Sequence, residues 1–174
     1  MKKHMIRMGF MVGMGALAVA LAGCNHSSST GEGARGAGVV SNATGPAKPA
    51  ATADDNVWGR YLADLGELHG KDVGMRPYVY VIPGGDSVTA NARRQEEIDS
   101  IVHSIGPVLM PGGMLILGGP QAKQTTAFIT VLSKQIKADS MKGIVVMVVS
   151  DPAEQDANTA ALKPSGAVVR FVSM

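Results

Sequence analysis

Three short stretches carry the residue types from which a site could be built: Pro83-Gly84-Gly85-Asp86-Ser87, Gly118-Gly119-Pro120-Gln121 and Ser150-Asp151-Pro152. Each follows an apolar run. Glycine lets a ligand come close to the backbone, and the free N–H groups of a helix start can receive an anion. Asp86 and Asp151, joined by Ser87 and Ser150, could face each other and hold a cation. The candidate ligand-contacting residues are therefore Gly84, Gly85, Asp86, Ser87, Gly118, Gly119, Ser150 and Asp151. The same residue types are what a tight strand-to-helix turn and an N-cap require, so an architectural reading stands beside the chemical one.

No catalytic constellation emerges. There is no phosphate-loop lysine, no G-x-G-x-x-G after the first strand and no G-x-S-x-G elbow. His103 lies four residues after Asp99 on one helix face, a spacing that suits a solvated contact better than a dyad or a metal ligand. Glu96, Glu97 and Asp99 read as the wet face of the same helix. No catalytic residue, metal ligand or cofactor is assigned.

The elements that would position the three stretches follow from periodicity. Asp54-Asp55-Asn56 starts a helix in which Trp58, Tyr61, Leu62, Leu65 and Leu68 recur at helical spacing, and His69-Gly70 ends it. Its apolar stripe is expected to cover a sheet. Strand-like runs then alternate with helices: Tyr78 to Ile82, a helix to Ser104, Met114 to Leu117, a helix from about Gln121 to Ala138, Ile144 to Val149, a short helix capped by Asp151, and Ala167 to Val172. Alternation of this kind implies an α/β fold with a mostly parallel sheet and right-handed crossovers. The expectation is a small three-layer sandwich with four strands in the order 2-1-3-4. That order puts the unbroken apolar run from Ile144 inside and the Arg170 strand at an edge. It also sets the first and third loops beside the switch point, where open α/β sheets bind ligands. Leu109-Met110-Pro111-Gly112-Gly113-Met114-Leu115-Ile116 resembles the Leu-x-Pro-Gly-Gly-x-Leu turn of Rossmann-type methyltransferases. The glycine-rich cofactor loop of that family is missing, and the segment reads as a helix-to-strand turn.

Ahead of this domain the chain changes character. Lys2, Lys3 and Arg7 precede an apolar run from about Met8 to Ala22, which is shorter than the roughly 20 residues a membrane span needs. Its ending, Leu21-Ala22-Gly23-Cys24, resembles the lipobox of bacterial lipoproteins. The resemblance implies a signal peptide over 1–23, cleavage before Cys24, and diacylglycerol and acyl chains on that residue. Cys24 is the chain's one cysteine, so no internal disulfide is possible. By the same resemblance Asn25, rather than Asp, points to the outer membrane facing the periplasm, with the inner membrane as the alternative. Residues 24–53, rich in Ser, Gly, Ala and Pro without apolar period, are expected to form a disordered tether, and 54–174 a single α/β domain.

The whole chain has 16 Lys and Arg against 14 Asp and Glu; without Lys2, Lys3 and Arg7 the balance is 13 against 14, a net charge of −1. That near-neutral average speaks against nucleic acid and gives no electrostatic reason to expect anionic lipid. The sequence thus points to a lipid-anchored periplasmic protein, held to the membrane by its anchor and serving an envelope protein partner as a non-catalytic accessory, binding or assembly subunit. The alternative is a small-ligand binder or enzyme using the strand-end loops.

Overall fold

The computed structural model describes residues 45–174. Cys24, the signal segment and the tether up to residue 44 lie outside the described residues. Among those described, no helix is long and apolar enough to cross a membrane.

Four helices and four strands alternate as expected. Helix α1 spans Asp55–His69, α2 Val88–Ser104, α3 Ala122–Gln135 and α4 Gln155–Leu162; strands β1 to β4 span Tyr78–Val81, Met114–Gly118, Val145–Ser150 and Val168–Ser173. Single 3-10 turns, Pro152–Glu154 and Lys163–Ser165, bracket α4. Side-chain oxygens cap α1, α2 and the 3-10 turn before α4. Asp54 accepts from the Val57 N–H, Ser87 from Ala90 and Asp151 from Ala153. Each satisfies a backbone donor that the helix start leaves free.

All strands are parallel, and the order is 1-2-3-4, which corrects the expected 2-1-3-4. The physical reason lies in β1 and β2. Every residue of β2 is buried, whereas β1 is four residues long and only partly covered. An order with β2 outermost would have exposed Leu115, Ile116 and Leu117. The expected inner position of the Ile144 run and the edge position of the Arg170 strand both hold, because the two orders share them.

One-directional winding places α2, α3 and α4 on the same face of the sheet when crossovers are right-handed. The two cores agree with this. Ile98, Ile101, Phe128, Ile129, Leu132 and Leu162 pack with Leu115, Leu117, Val146 and Val148 on one face. On the other, α1 lays Trp58, Tyr61, Leu62 and Leu65 against Met114, Ile116, Met147 and Val149. The layers are thus α1, sheet, and the three crossover helices. Helix α1 sits close because Gly66 has no side chain: a Cβ there would meet Ile116 Cδ1 at 2.5 Å.

The packed chain starts ahead of the boundary at 53 that composition suggested. Trp58 is fully buried, and its indole N–H donates to the Ala50 carbonyl at 3.2 Å. Ala53 packs against the α1 core, and its N–H donates to Ala50 as well. Composition hides this because the segment supplies backbone carbonyls and one methyl group, not an apolar stripe.

Candidate functional site

The three expected loops do line one edge of the sheet, where the strands end, but the corrected order changes their relation. No switch point exists in a sheet wound one way. The loop after β2 now lies between the loops that follow β1 and β3. With neighbouring strands about 4.8 Å apart, an intervening strand separates the loops that carry Asp86 and Asp151. Among the described residues, no group of three His, Cys, Asp or Glu is placed to bind a metal ion.

What the loops do with their polar groups is clear from their bonds. Arg94, buried in α2, donates from Nη1 to the carbonyls of Pro83 at 2.6 Å and Gly85 at 2.8 Å, and from Nη2 to Asn91 Oδ1 at 2.6 Å. The Gly85 N–H donates to Gln121 Oε1 at 2.9 Å, and Gln124 Nε2 donates to the Asp86 carboxylate. Asn91 Nδ2 reaches the Asp86 carbonyl at 3.3 Å. Asp86 therefore ties the first loop to α3. Ser87 and Asp151 are consumed as N-caps.

The glycines have architectural work of their own. A Cβ on Gly118 would lie 2.7 Å from Leu62 Cδ2 and 3.1 Å from the Val149 carbonyl oxygen, and one on Gly119 would collide with the Ile82 carbonyl. Gly84 sits 3.1 Å, by the same measure, from the Pro120 ring. Gly85 differs: its φ of 79° demands glycine, and nothing lies within 4 Å of its missing side chain.

Two features remain open. A surface cavity of about 340 Å³ lies where this edge meets the start of α1, lined by Asp55, Pro83, Gly84, Ser87, Arg93 and Gln121. Its charges are paired, with Arg93 Nη2 at 2.7 Å from Asp55 Oδ2. Burial pushes the nearby Glu97 carboxyl above its usual range, against the pull of Arg93. Second, Ser150 and Asn158 are fully buried, yet Ser150 Oγ and both amide atoms of Asn158 have no protein partner. Buried polar groups of this kind are normally satisfied by water or ligand.

His103 and Asp99 form no dyad. His103 Nδ1 lies 2.6 Å from the Asp99 backbone carbonyl, while the Asp99 carboxylate accepts from Gln95 at 2.9 Å. The Leu109–Ile116 segment is a helix-to-strand turn, with Gly112 at φ 88° and the Gly113 N–H donating to the Met110 carbonyl.

Sequence reasoning misses Arg94, Gln124 and Asn158, and reaches Gln121 only as the end of the second stretch. Arg94 looked like part of a charged helix face, one of two adjacent arginines. Asn158 carried a usable signal: it stands four residues before Leu162, on the stripe that must face the sheet. Comparison with family models, with curated proteins and with solved structures gives no match.

Proposed function

We propose that this chain is a lipid-anchored periplasmic protein whose folded domain is a non-catalytic accessory, binding or assembly subunit of a cell-envelope complex. The observation that carries the non-catalytic part is the closure of the strand-end loops on themselves. Arg94, Asp86, Gln121, Ser87 and Asp151 spend their polar atoms holding loops and caps. The anchoring part rests on the lipobox resemblance at Leu21-Ala22-Gly23-Cys24, with Asn25 favouring the outer membrane. Several acyl chains would hold the protein where one would not. Cys24→Ser should abolish metabolic palmitate labelling and stop processing at the lipobox; persistent labelling of that variant would refute the anchor. Crosslinking in intact envelopes should then recover a protein partner with the parent chain.

A second reading has specific support: the cavity beside Gly84 and Ser87, and the unpartnered Ser150 and Asn158, favour a small-ligand binder or enzyme at the same edge. A ligand and metal screen by thermal shift separates the two. A specific rise in Tm that is lost in Asp86→Ala and in Ser150→Ala would favour the ligand site.

A further inference from the structure

The opposite edge of the sheet, where the strands begin, has a different character. Three connections run side by side there: 105–113 between α2 and β2, 136–143 between α3 and β3, and 163–167 between α4 and β4. Backbone hydrogen bonds lace them together. The Gly112 N–H donates to the Gly143 carbonyl at 2.8 Å, Asp139 to Pro164 at 3.0 Å and Met141 to Ser165 at 2.9 Å. Gly106, Gly112, Gly143 and Gly166 all have positive φ, which lets each connection turn tightly. The result is a continuous backbone platform rather than three separate loops.

Two kinds of exposed side chain stand out on it. Lys134, Lys137, Lys142 and Lys163 are exposed across the second and third connections and the end of α3, with Asp139 as the acid among them. Val108 and Met110 stand out from the first connection, 38% and 44% exposed. Helix dipoles favour Lys134 and Lys163, which lie at helix C-termini. They do not account for Lys137, Lys142, Val108 or Met110. At the other edge acids outnumber bases: Asp54, Asp86, Asp151 and Asp156 are exposed there, with Lys123 and the Asp55-paired Arg93 as exposed cations. A net charge near zero therefore conceals a domain with one acidic and one basic end.

We propose that this platform docks on an anionic lipid bilayer surface. The match is one of charge and shape. Lysine ammonium groups beside exposed apolar side chains suit a headgroup layer that is negatively charged outside and apolar just beneath. Protein interfaces are depleted in lysine and enriched in arginine and aromatic residues; the three connections contain neither of the latter, and the exposed Arg76 and Tyr78 at the same end belong to the entry into β1. Nucleic acid would use the lysines but not Val108 and Met110. The proposal does not rest on the lipobox: the contact is made by the folded domain.

The test takes the chain from Asn25 onward, which keeps every described residue and lacks both Cys24 and the basic, apolar segment before it, as a common parent. In this parent, Met110→Cys is labelled with an environment-sensitive dye. Vesicles of phosphatidylcholine, and of phosphatidylcholine mixed with phosphatidylglycerol, are titrated in at low and high salt. Dye emission should shift to the blue on mixed vesicles alone, and salt should reverse it. Changing Lys134, Lys137, Lys142 and Lys163 together to Gln should weaken that response by roughly 600-fold if their contributions add, given about fivefold per lysine near such a surface. Lys123→Gln, at the other edge, should leave it unchanged. All four lysines are exposed and only Lys134 and Lys163 interact with helix dipoles, so the melting temperature should fall only slightly and report intact folding. The proposal is overturned if the quadruple variant responds like its parent, if neutral vesicles act equally well, or if soluble polyglutamate or duplex DNA is bound in preference to mixed vesicles.

Discussion

The two edges of the sheet were built from similar turn residues and came out with opposite properties. Where the strands end, glycines and aspartates promised a site, and nearly every one is engaged in holding the fold. Gly118 and Gly119 admit Leu62 and the Ile82 carbonyl, Asp86 binds Gln124, and Asp151 caps a helix turn. Where the strands begin, glycines and prolines promised only turns. There the backbone groups satisfy one another, Leu109 and Met141 point into the core, and Met110, Lys137 and Lys142 stand exposed. A residue type that can do chemistry says little until its hydrogen-bond partners are known, because capping and close packing need the same types.

The sharpest way to break this comparison is to make the same substitution at both edges. Gly119→Ala drives a methyl group into the Ile82 carbonyl and should cost roughly 3 kcal/mol, seen as a large fall in Tm. Gly112→Ala, at φ 88° with nothing within 4 Å, should cost only about 1 kcal/mol from backbone strain. Equal losses would mean that Gly119 is not a packing glycine. Next in size is Arg94→Met. Removing the guanidinium leaves the Pro83 and Gly85 carbonyls without their donor and should cost about 2 kcal/mol. Arg94→Lys should rescue little, since one ammonium cannot reproduce the fork. Full stability in the Met variant would mean the loop is held by something else.

The smallest effect is a pH dependence near the basic edge. Arg170 of β4 grips Asp72 with two bonds, 2.8 and 3.0 Å, and also donates to the His69 carbonyl. The hydrogen bond from Arg170 lowers the Asp72 pKa below its usual value. A depressed carboxylate stabilises the fold above its unfolded pKa, and that contribution is lost as pH falls through the native value. Tm-against-pH curves for the parent and Arg170→Asn should therefore differ at neutral pH and draw together in acid. Curves that stay parallel would show that the ion pair contributes nothing.

Much of the architecture was legible in the sequence, because it rests on periodicity. The α1 stripe, the caps at Asp54, Ser87 and Asp151, the alternation of strands and helices, and the inner place of the Ile144 run all follow from local pattern. Strand order was not, since its deciding feature was a comparison between β1 and β2 rather than a property of either. Tyr78 and Tyr80 in a short strand bracketed by prolines were the signal for an edge. The site was less legible still. Arg94 looks like any surface arginine until the chain folds its own carbonyls around it. Lys137, Lys142, Lys163 and Met110 lie up to 53 positions apart in sequence, and only the laced connections bring them to one end.

The central claim is that the strand-end edge is closed on itself and the strand-start edge is the working surface. Amide hydrogen exchange of the chain from Asn25 onward, with and without phosphatidylcholine–phosphatidylglycerol vesicles, tests it region by region. Exchange should slow in 105–113, 136–143 and 163–167 when vesicles are added, with 83–87, 118–121 and 150–152 unchanged. Slowing confined to 83–87, 118–121 and 150–152 would contradict the account and return the candidate site to the edge where the strands end.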